Sequence, residues 1–384
     1  MNKPKIRFKG FEGEWKEKAL GDVVDEFKYG INAAAVSYDG ENKYLRITDI
    51  DEGSRAFIKD ELASPDADLS SCNEYIMQDG DIVIARTGAS VGKSYIYRPI
   101  DGKVYFAGFL IRARVNKKVD REFVFQNTLT DGFKKYIRFV SQRSGQPGVN
   151  AEELKSYLMN LPASLPEQRA LASYFTSLDA QIAASTSRLS SLKQIKAASL
   201  LNMFPQNGET VPRVRFKGFQ GEWKERKIGD ALSINSGRDY KHLEEGDIPV
   251  YGTGGYMLSV NERISDCDAI GIGRKGTIDK PQYLRAPFWT VDTLFFLTAK
   301  VGIDLDFAYN LSQVIGWRKY DESTGVPSLS KNNIEKIPIS LPSLPEQRAI
   351  ASYFTALDAQ ITLQRERLEK LKQIKAACLE KMFA

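Results

Sequence analysis

The 384-residue sequence contains one histidine, His242, and three cysteines, Cys72, Cys267 and Cys378. A single histidine leaves no multi-histidine metal site and no histidine base that two halves of the chain could share. The cysteines form no Cys-x-x-Cys spacing and one is left over. That excludes a cysteine metal cluster and a disulfide framework, and favours a reducing cytoplasm. There is no Pro-Pro pair, so the Asn/Asp-Pro-Pro-aromatic motif of amino-methyltransferases is missing. No apolar run is long enough to span a bilayer, and the opening MNKPKIRFKG lacks a signal-peptide pattern. Carboxylates are scattered without a repeated pair, which gives no indication of acid–base catalysis.

What is present suits a folded chain of two or more domains. Apolar residues make up 42%, aromatics 11% and charged residues 27%, enough for proper cores. The net charge of +5 is compatible with nucleic acid without demanding it.

The main organisational fact is a duplication. Ser-Leu-Pro-Glu-Gln-Arg opens a stretch at Ser164 that ends near Phe204, and opens it again at Ser343, ending near Phe383. A second repeat starts at Pro4 (PKIRFKGFEGEWKEKALGDV) and at Pro212 (PRVRFKGFQGEWKERKIGDA), placing Trp15 beside Trp223 and Gly21-Asp22 beside Gly229-Asp230. The regions between, about 21–163 and 231–342, do not resemble each other closely. The order is therefore lead-in segment, variable insert, long stretch, twice.

Each long stretch reads as a helix of roughly 38 residues, about 57 Å at 1.5 Å per residue. Ser164-x-x-Glu167 and Ser343-x-x-Glu346 match a capping box, and Pro166 and Pro345 fall in the first turn, where a missing N–H costs little. Alternating spacings of four and three follow: Leu178, Ile182, Ser185, Leu189, Leu192, Lys196, Ser199 and Met203 in one copy, Leu357, Ile361, Gln364, Leu368, Leu371, Lys375, Cys378 and Met382 in the other. That is a coiled-coil seam, with polar interruptions at matching places that suggest register control or a second partner.

The inserts read as mixed α/β. In the first, 44–50, 81–86 and 104–115 pattern as strands and 122–129 and 134–140 as helices. In the second, 269–274 and 288–298 pattern as strands and 305–315 as a helix. Two glycine loops invite cofactor readings that fail on context. Gly88 to Gly92-Lys93-Ser94 has three residues between the glycines where a phosphate loop needs four, and Gly271-x-Gly273-x-x-Gly276 is followed by Pro281 rather than a helix. Laid together, both are strands ending in Arg-x-Gly with a lysine shortly after. A small-residue loop of this kind can approach a DNA backbone while its arginine reaches a base edge or phosphate; a plain exposed hairpin turn is the other reading. The expected DNA-contacting residues are Arg86, Thr87, Gly88, Ser90 and Lys93 in the first insert and Arg274, Lys275, Gly276, Thr277 and Lys280 in the second. Basic residues that precede a Gly/Ser loop in each insert join them: Lys134, Lys135, Arg138 and Arg143, then Arg318 and Lys319.

Divergent inserts on duplicated frames, with Leu161-Pro162-Ala163-Ser164-Leu165-Pro166-Glu167-Gln168 and Leu341-Pro342-Ser343-Leu344-Pro345-Glu346-Gln347 opening the helices, resemble the specificity subunit of Type I restriction-modification systems. The Leu-Asp-x-Gln-Ile pieces at 178–182 and 357–361 and the Gly-Glu-Trp segments fit the same resemblance. It implies an α+β fold: two mixed α/β target recognition domains, 1–163 and 205–342, and two long helices, 164–204 and 343–384, that pair as an antiparallel coiled coil with an internal pseudo-twofold repeat. It implies a non-catalytic subunit that binds a bipartite, asymmetric DNA site with a spacer of fixed length. It also implies methyltransferase subunits, expected to number two, and restriction subunits as partners, with S-adenosylmethionine and ATP held by those partners rather than by this chain. Two other readings are a coiled-coil adaptor with little DNA binding and a self-contained DNA-modifying enzyme.

Overall fold

The protein is described from a computed structural model, which covers residues 3–142, 145–206 and 208–383. It divides into two compact units, one of Met1–Ser187 with Glu366–Ala384, the other Arg188–Arg365. The chain passes from one unit to the other within each long helix, Leu165–Asn202 and Leu344–Met382.

In the first unit the lead-in segment supplies a strand, Lys16–Ala19, antiparallel to Leu158–Leu161. A four-stranded antiparallel sheet follows, in the spatial order Val24–Tyr29, Leu110–Val115, Ile82–Ala85, Ser94–Ile96. The same unit holds helices Arg121–Asn127, Asp131–Val140 and Ala151–Lys155 and two strand pairs, Ala35–Ser37 antiparallel to Ala63–Pro65 and Lys43–Leu45 parallel to Val104–Phe106. The second unit repeats the plan with different residues. Lys224–Lys227 pairs with Pro338–Leu341, and the sheet order is Leu232–Ser236, Leu294–Ala299, Ala269–Gly273, Gln282–Leu284, again antiparallel throughout. Its helices are Leu305–Val314 and Lys331–Lys336. The second unit also carries a hairpin, Glu245–Gly252 with Gly255–Val260. The shared strand order in unlike sequence makes the two units one fold in two versions.

Three expected strands are shorter than their apolar runs. The run 44–50 ends at Leu45 and becomes a 3-10 turn, Ile47–Asp49, because the Asp49 carboxylate accepts from the Arg46 backbone N–H (2.8 Å) and guanidinium (2.8 and 2.7 Å). Such local bonds compete with the strand ladder. The runs 104–115 and 288–298 each break at a tight turn, giving Val104–Phe106 with Leu110–Val115, and Trp289–Thr290 with Leu294–Ala299. Apolar content cannot report that break, since the residues on both sides are buried.

The Glu-Gln pair that opens each long helix does something other than cap it. Both Glu167 oxygens accept from Arg7 (2.7 and 2.8 Å), and Oε1 also accepts from Trp15 Nε1 (3.2 Å). Glu346 is held in the same way by Arg215 (2.7 and 2.7 Å), but without the indole bond, since Trp223 Nε1 is buried with no hydrogen-bond partner. Each arginine also donates to lead-in carbonyls: Gly13 and Glu12 in one unit, Gly221 and Gln220 in the other. The adjacent glutamine is buried and bridges two backbones. Gln168 accepts from Asp120 N–H (2.9 Å) and donates to Pro162 O (2.8 Å); Gln347 accepts from Asp304 N–H (3.0 Å) and donates to Pro342 O (3.1 Å). Asp120 and Asp304 are themselves the N-caps of the first helix after each sheet. One motif thus ties helix start, lead-in segment and insert together.

Four of the polar seam positions, Lys196, Ser199, Lys375 and Cys378, make contacts between the long helices. In the first unit Lys375 donates to Asp179 (2.5 Å) and Cys378 lies 3.3 Å from the Tyr174 hydroxyl. In the second, Lys196 donates to both oxygens of Asp358 (2.6 and 2.8 Å) and Ser199 bonds the Tyr353 hydroxyl (2.9 Å). In each unit one long helix therefore runs antiparallel to the other, with register set by an ion pair and a hydroxyl contact. The helix ends are anchored by aromatics: Phe383 stacks on Phe123 at 5.1 Å, and Phe204 packs against Trp223, Phe307 and Phe354 at 5.5–6.1 Å.

Glu346 is only 2% exposed. Arg215→Ala therefore leaves a buried, uncompensated carboxylate and is expected to destabilise the protein by about 3 kcal/mol in urea unfolding. Adding Glu346→Gln should recover part of that loss, and no recovery would mean the arginine acts through packing alone. Phe204→Ala, which empties a fully buried aromatic site, is expected to cost about 3–5 kcal/mol by the same measurement.

Candidate nucleic-acid interface

The two arginine loops are built alike. Each sits at the end of a central sheet strand, Ile82–Ala85 or Ala269–Gly273. Arg86 donates its backbone N–H to Phe109 O (3.0 Å), and its carbonyl accepts from Val149 N–H (2.8 Å). Arg274 donates to Thr293 O (2.8 Å) and accepts from Leu329 N–H (2.9 Å). Gly88 N–H bonds Pro147 O and Gly276 N–H bonds Pro327 O, at 2.9 and 2.8 Å. Both glycines have positive φ, +75° and +85°, where a side chain would be strained. Thr87 bridges to Gly148 and Lys275 to Ser328, so each loop is clamped to the Gly/Ser/Pro segment ahead of the next long helix.

The turn beside each arginine is matched as well. Leu110 N–H bonds Ala107 O (2.8 Å), and Leu294 N–H bonds Val291 O (3.0 Å). Gly30 donates to Leu110 O and Gly237 to Leu294 O, both at 3.2 Å. A Cβ at Gly30 would collide with the Phe106 and Ala107 carbonyls, and one at Gly237 with those of Val291 and Thr290. Only glycine admits so close an approach.

The side chains then differ. The Arg86 guanidinium lies over the Tyr29 ring at 4.7 Å, and its Nε is buried without a hydrogen-bond partner. Arg274 is exposed and lies 5.9 Å from the Phe295 ring. Stacking on an aromatic face leaves an arginine's in-plane donors free to address a ligand.

The remaining expected residues fall into two groups. Lys134, Lys135 and Arg138 are exposed on helix Asp131–Val140, whose Phe133 and Ile137 are buried, and Lys134 makes one exposed ion pair with Asp131 (3.1 Å). Lys280 and Lys319 are exposed, and Ser90 and Thr277 are half-buried in the loops. Two others are paired within the protein, Lys93 in a buried place and Arg318 at the surface with its side chain 72% exposed. The Lys93 ammonium donates to Ile50 O (2.9 Å), lies 3.5 Å from Glu52, and its side chain is only 9% exposed. Arg318 bonds Asp279 (2.5 Å), which holds that carboxyl below its usual range. Arg143 lies outside the described residues.

The sequence reading passed over Tyr29 and Phe109, the latter 61% exposed on the turn beside Arg86, and the equivalent Asp292-Thr293. Position along the chain gives no signal for them, since they reach the arginines only through sheet pairing. Among the described residues no group of three or more His, Cys, Asp or Glu is placed to hold a metal ion. No helix there is long and apolar enough to cross a membrane.

Comparison with known proteins places this geometry. The chain is 22% identical over 171 residues to the Type I restriction enzyme EcoprrI specificity subunit of Escherichia coli, a match spanning 42% of each chain. It is 20% identical to the MjaVIII specificity subunit of Methanocaldococcus jannaschii, across 94% of this chain and 90% of that one. Its fold is that of the Type I restriction-modification system S subunit of M. genitalium, with a TM-score of 0.70, 18% identity, and coverage of 100% of this chain and 99% of the other. The family profile for the Type I restriction modification DNA specificity domain matches residues 12–194 and 220–373. The chain belongs to that family, as a DNA sequence-specificity subunit that carries the domain twice.

Proposed function

We propose that this chain reads a bipartite, asymmetric DNA site, one half by each arginine-loop unit, across a spacer sensed by length alone. The observation that supports this most is the paired construction: the same backbone frame presents Arg86 in one unit and Arg274 in the other, amid unlike side chains. Unlike readers call for unlike half-sites, in contrast to the palindromes of symmetric dimers. Residues 1–163 and 205–342 act as the target recognition domains, and we assign spacer measurement to the two long helices.

Methyltransferase subunits, two in number, dock on the long helices, and restriction subunits join them. The repeated stretch Leu-Lys-Gln-Ile-Lys-Ala-Ala supports two like partners, because it leaves Ile195 and Ile374 exposed at equivalent positions, 48% and 37%. S-adenosylmethionine and ATP are then held by the partners, and the complex works in the cytoplasm. This chain's own contribution is binding and positioning. Exposed basic residues of helix Asp131–Val140 bind phosphate without reading sequence, and the stacked arginine loops bind base edges.

Exchange of the insert 231–342 for that of another family member should change one half-site in a base-resolution methylation map and leave the other intact; a change in both halves would overturn the modular reading. Arg86→Ala and Arg274→Ala should each cost about 1–3 kcal/mol of binding to a split-site duplex and relax one base position. Lys135→Ala and Arg138→Ala should each lower the salt-dependence slope by about 1, whereas Lys93→Ala should leave it unchanged, because that ammonium is already bound within the protein.

A further inference from the structure

Beside each arginine loop the frame presents a two-residue turn tip: Gly108-Phe109 in the first unit and Asp292-Thr293 in the second. Backbone bonds fix both tips alike. Arg86 and Arg274 donate to Phe109 O and Thr293 O, Leu110 and Leu294 close the turns, and Ala107 and Val291 donate to Leu45 O and Tyr251 O at 3.0 and 3.1 Å. The backbone is thus common to both tips and the side chains are not. Phe109 is 61% exposed on a turn whose backbone these bonds hold in place. Asp292 is exposed and lines an open cleft of about 770 Å³ with Asp239, Lys241, Thr253, Tyr256 and Thr293.

An exposed phenyl ring held at a fixed distance from a base-reading arginine has one good partner on a base edge, the pyrimidine 5-methyl group. On the second unit's tip Thr293 matches Phe109, and the Asp292 carboxylate stands one residue earlier, at the place of Gly108; it cannot favour phosphate, which repels it. In the major groove a carboxylate can accept a hydrogen bond only from an exocyclic amine, cytosine N4 or adenine N6. We propose that these tips are specificity-determining elements: Phe109 selects a thymine in one half-site, and Asp292 selects an amino-bearing base in the other. This rests on the proposed bipartite recognition and deepens it, since it assigns base preference to residues other than the arginines.

The test is a base-resolution methylation map of DNA from cells that express the full chain with its cognate modification subunit, for the unaltered chain, Phe109→Ala and Asp292→Asn. Phe109→Ala should lower discrimination about tenfold at one thymine position of one half-site. Asp292→Asn should do so at one cytosine or adenine position of the other. Unaltered base preferences in both variants would overturn the inference and leave bipartite recognition standing. If the unaltered chain directs methylation to no split motif, bipartite recognition itself fails. If either variant loses all methylation together with a fall in melting temperature, Phe109→Leu and Asp292→Ser decide by the same map. Retention of every preference in those two overturns the inference, and relaxation at a single position supports it.

Discussion

The fold depends on two buried carboxylates. Glu167 and Glu346 are each 2% exposed, and each is neutralised by an arginine from the preceding lead-in segment. A carboxylate removed from water is costly unless it is paired and fully bonded, and that condition is met only when lead-in segment and helix start are side by side. The neighbouring Gln168 and Gln347 carry the same constraint on to the N-caps of the insert helices. Each insert therefore begins and ends at points held rigidly against a long helix. The residues between them can vary widely without disturbing the frame, as the two unlike inserts show.

The helix seam obeys a related rule. A wholly apolar seam tolerates slippage, whereas Lys196 with Asp358 and Lys375 with Asp179 admit one register only. The second partner of each junction, Ser199 with Tyr353 or Cys378 with Tyr174, shows how the two copies have diverged: hydroxyl and thiol serve at the same place. For a subunit whose helices are proposed to measure a spacer, a single register is worth more than the stability a leucine would add.

The recognition loops show the division between frame and content. Gly30 and Gly237, Gly88 and Gly276, and the turns at 107–110 and 291–294 occupy matching places with matching bonds. Side chains around them share little beyond the arginine. A constant backbone with variable tips lets one fold serve different sequences, because hydrogen-bond geometry holds the tip while base chemistry is set by what projects from it.

The duplication, the two long helices, the position of the arginine loops and the α+β character of the inserts were legible in the sequence, because each rests on local spacing: repeat offset, seam periodicity, a strand ending in Arg-x-Gly. Tertiary structure decided the rest. It turned the expected capping glutamates into buried ion pairs, because Arg7 lies far from Glu167 along the chain and meets it only in the fold. It broke two apolar runs, 104–115 and 288–298, at turns whose residues on either side are buried alike. It drew Lys93 inward to Ile50 while leaving Arg138 outside, although composition treats the two alike. It also placed Tyr29 and Phe109 beside Arg86, and Asp292 and Thr293 beside Arg274, through strand pairings between distant segments. Periodicity records which face of an element is apolar; it holds no record of which distant backbone that face will meet.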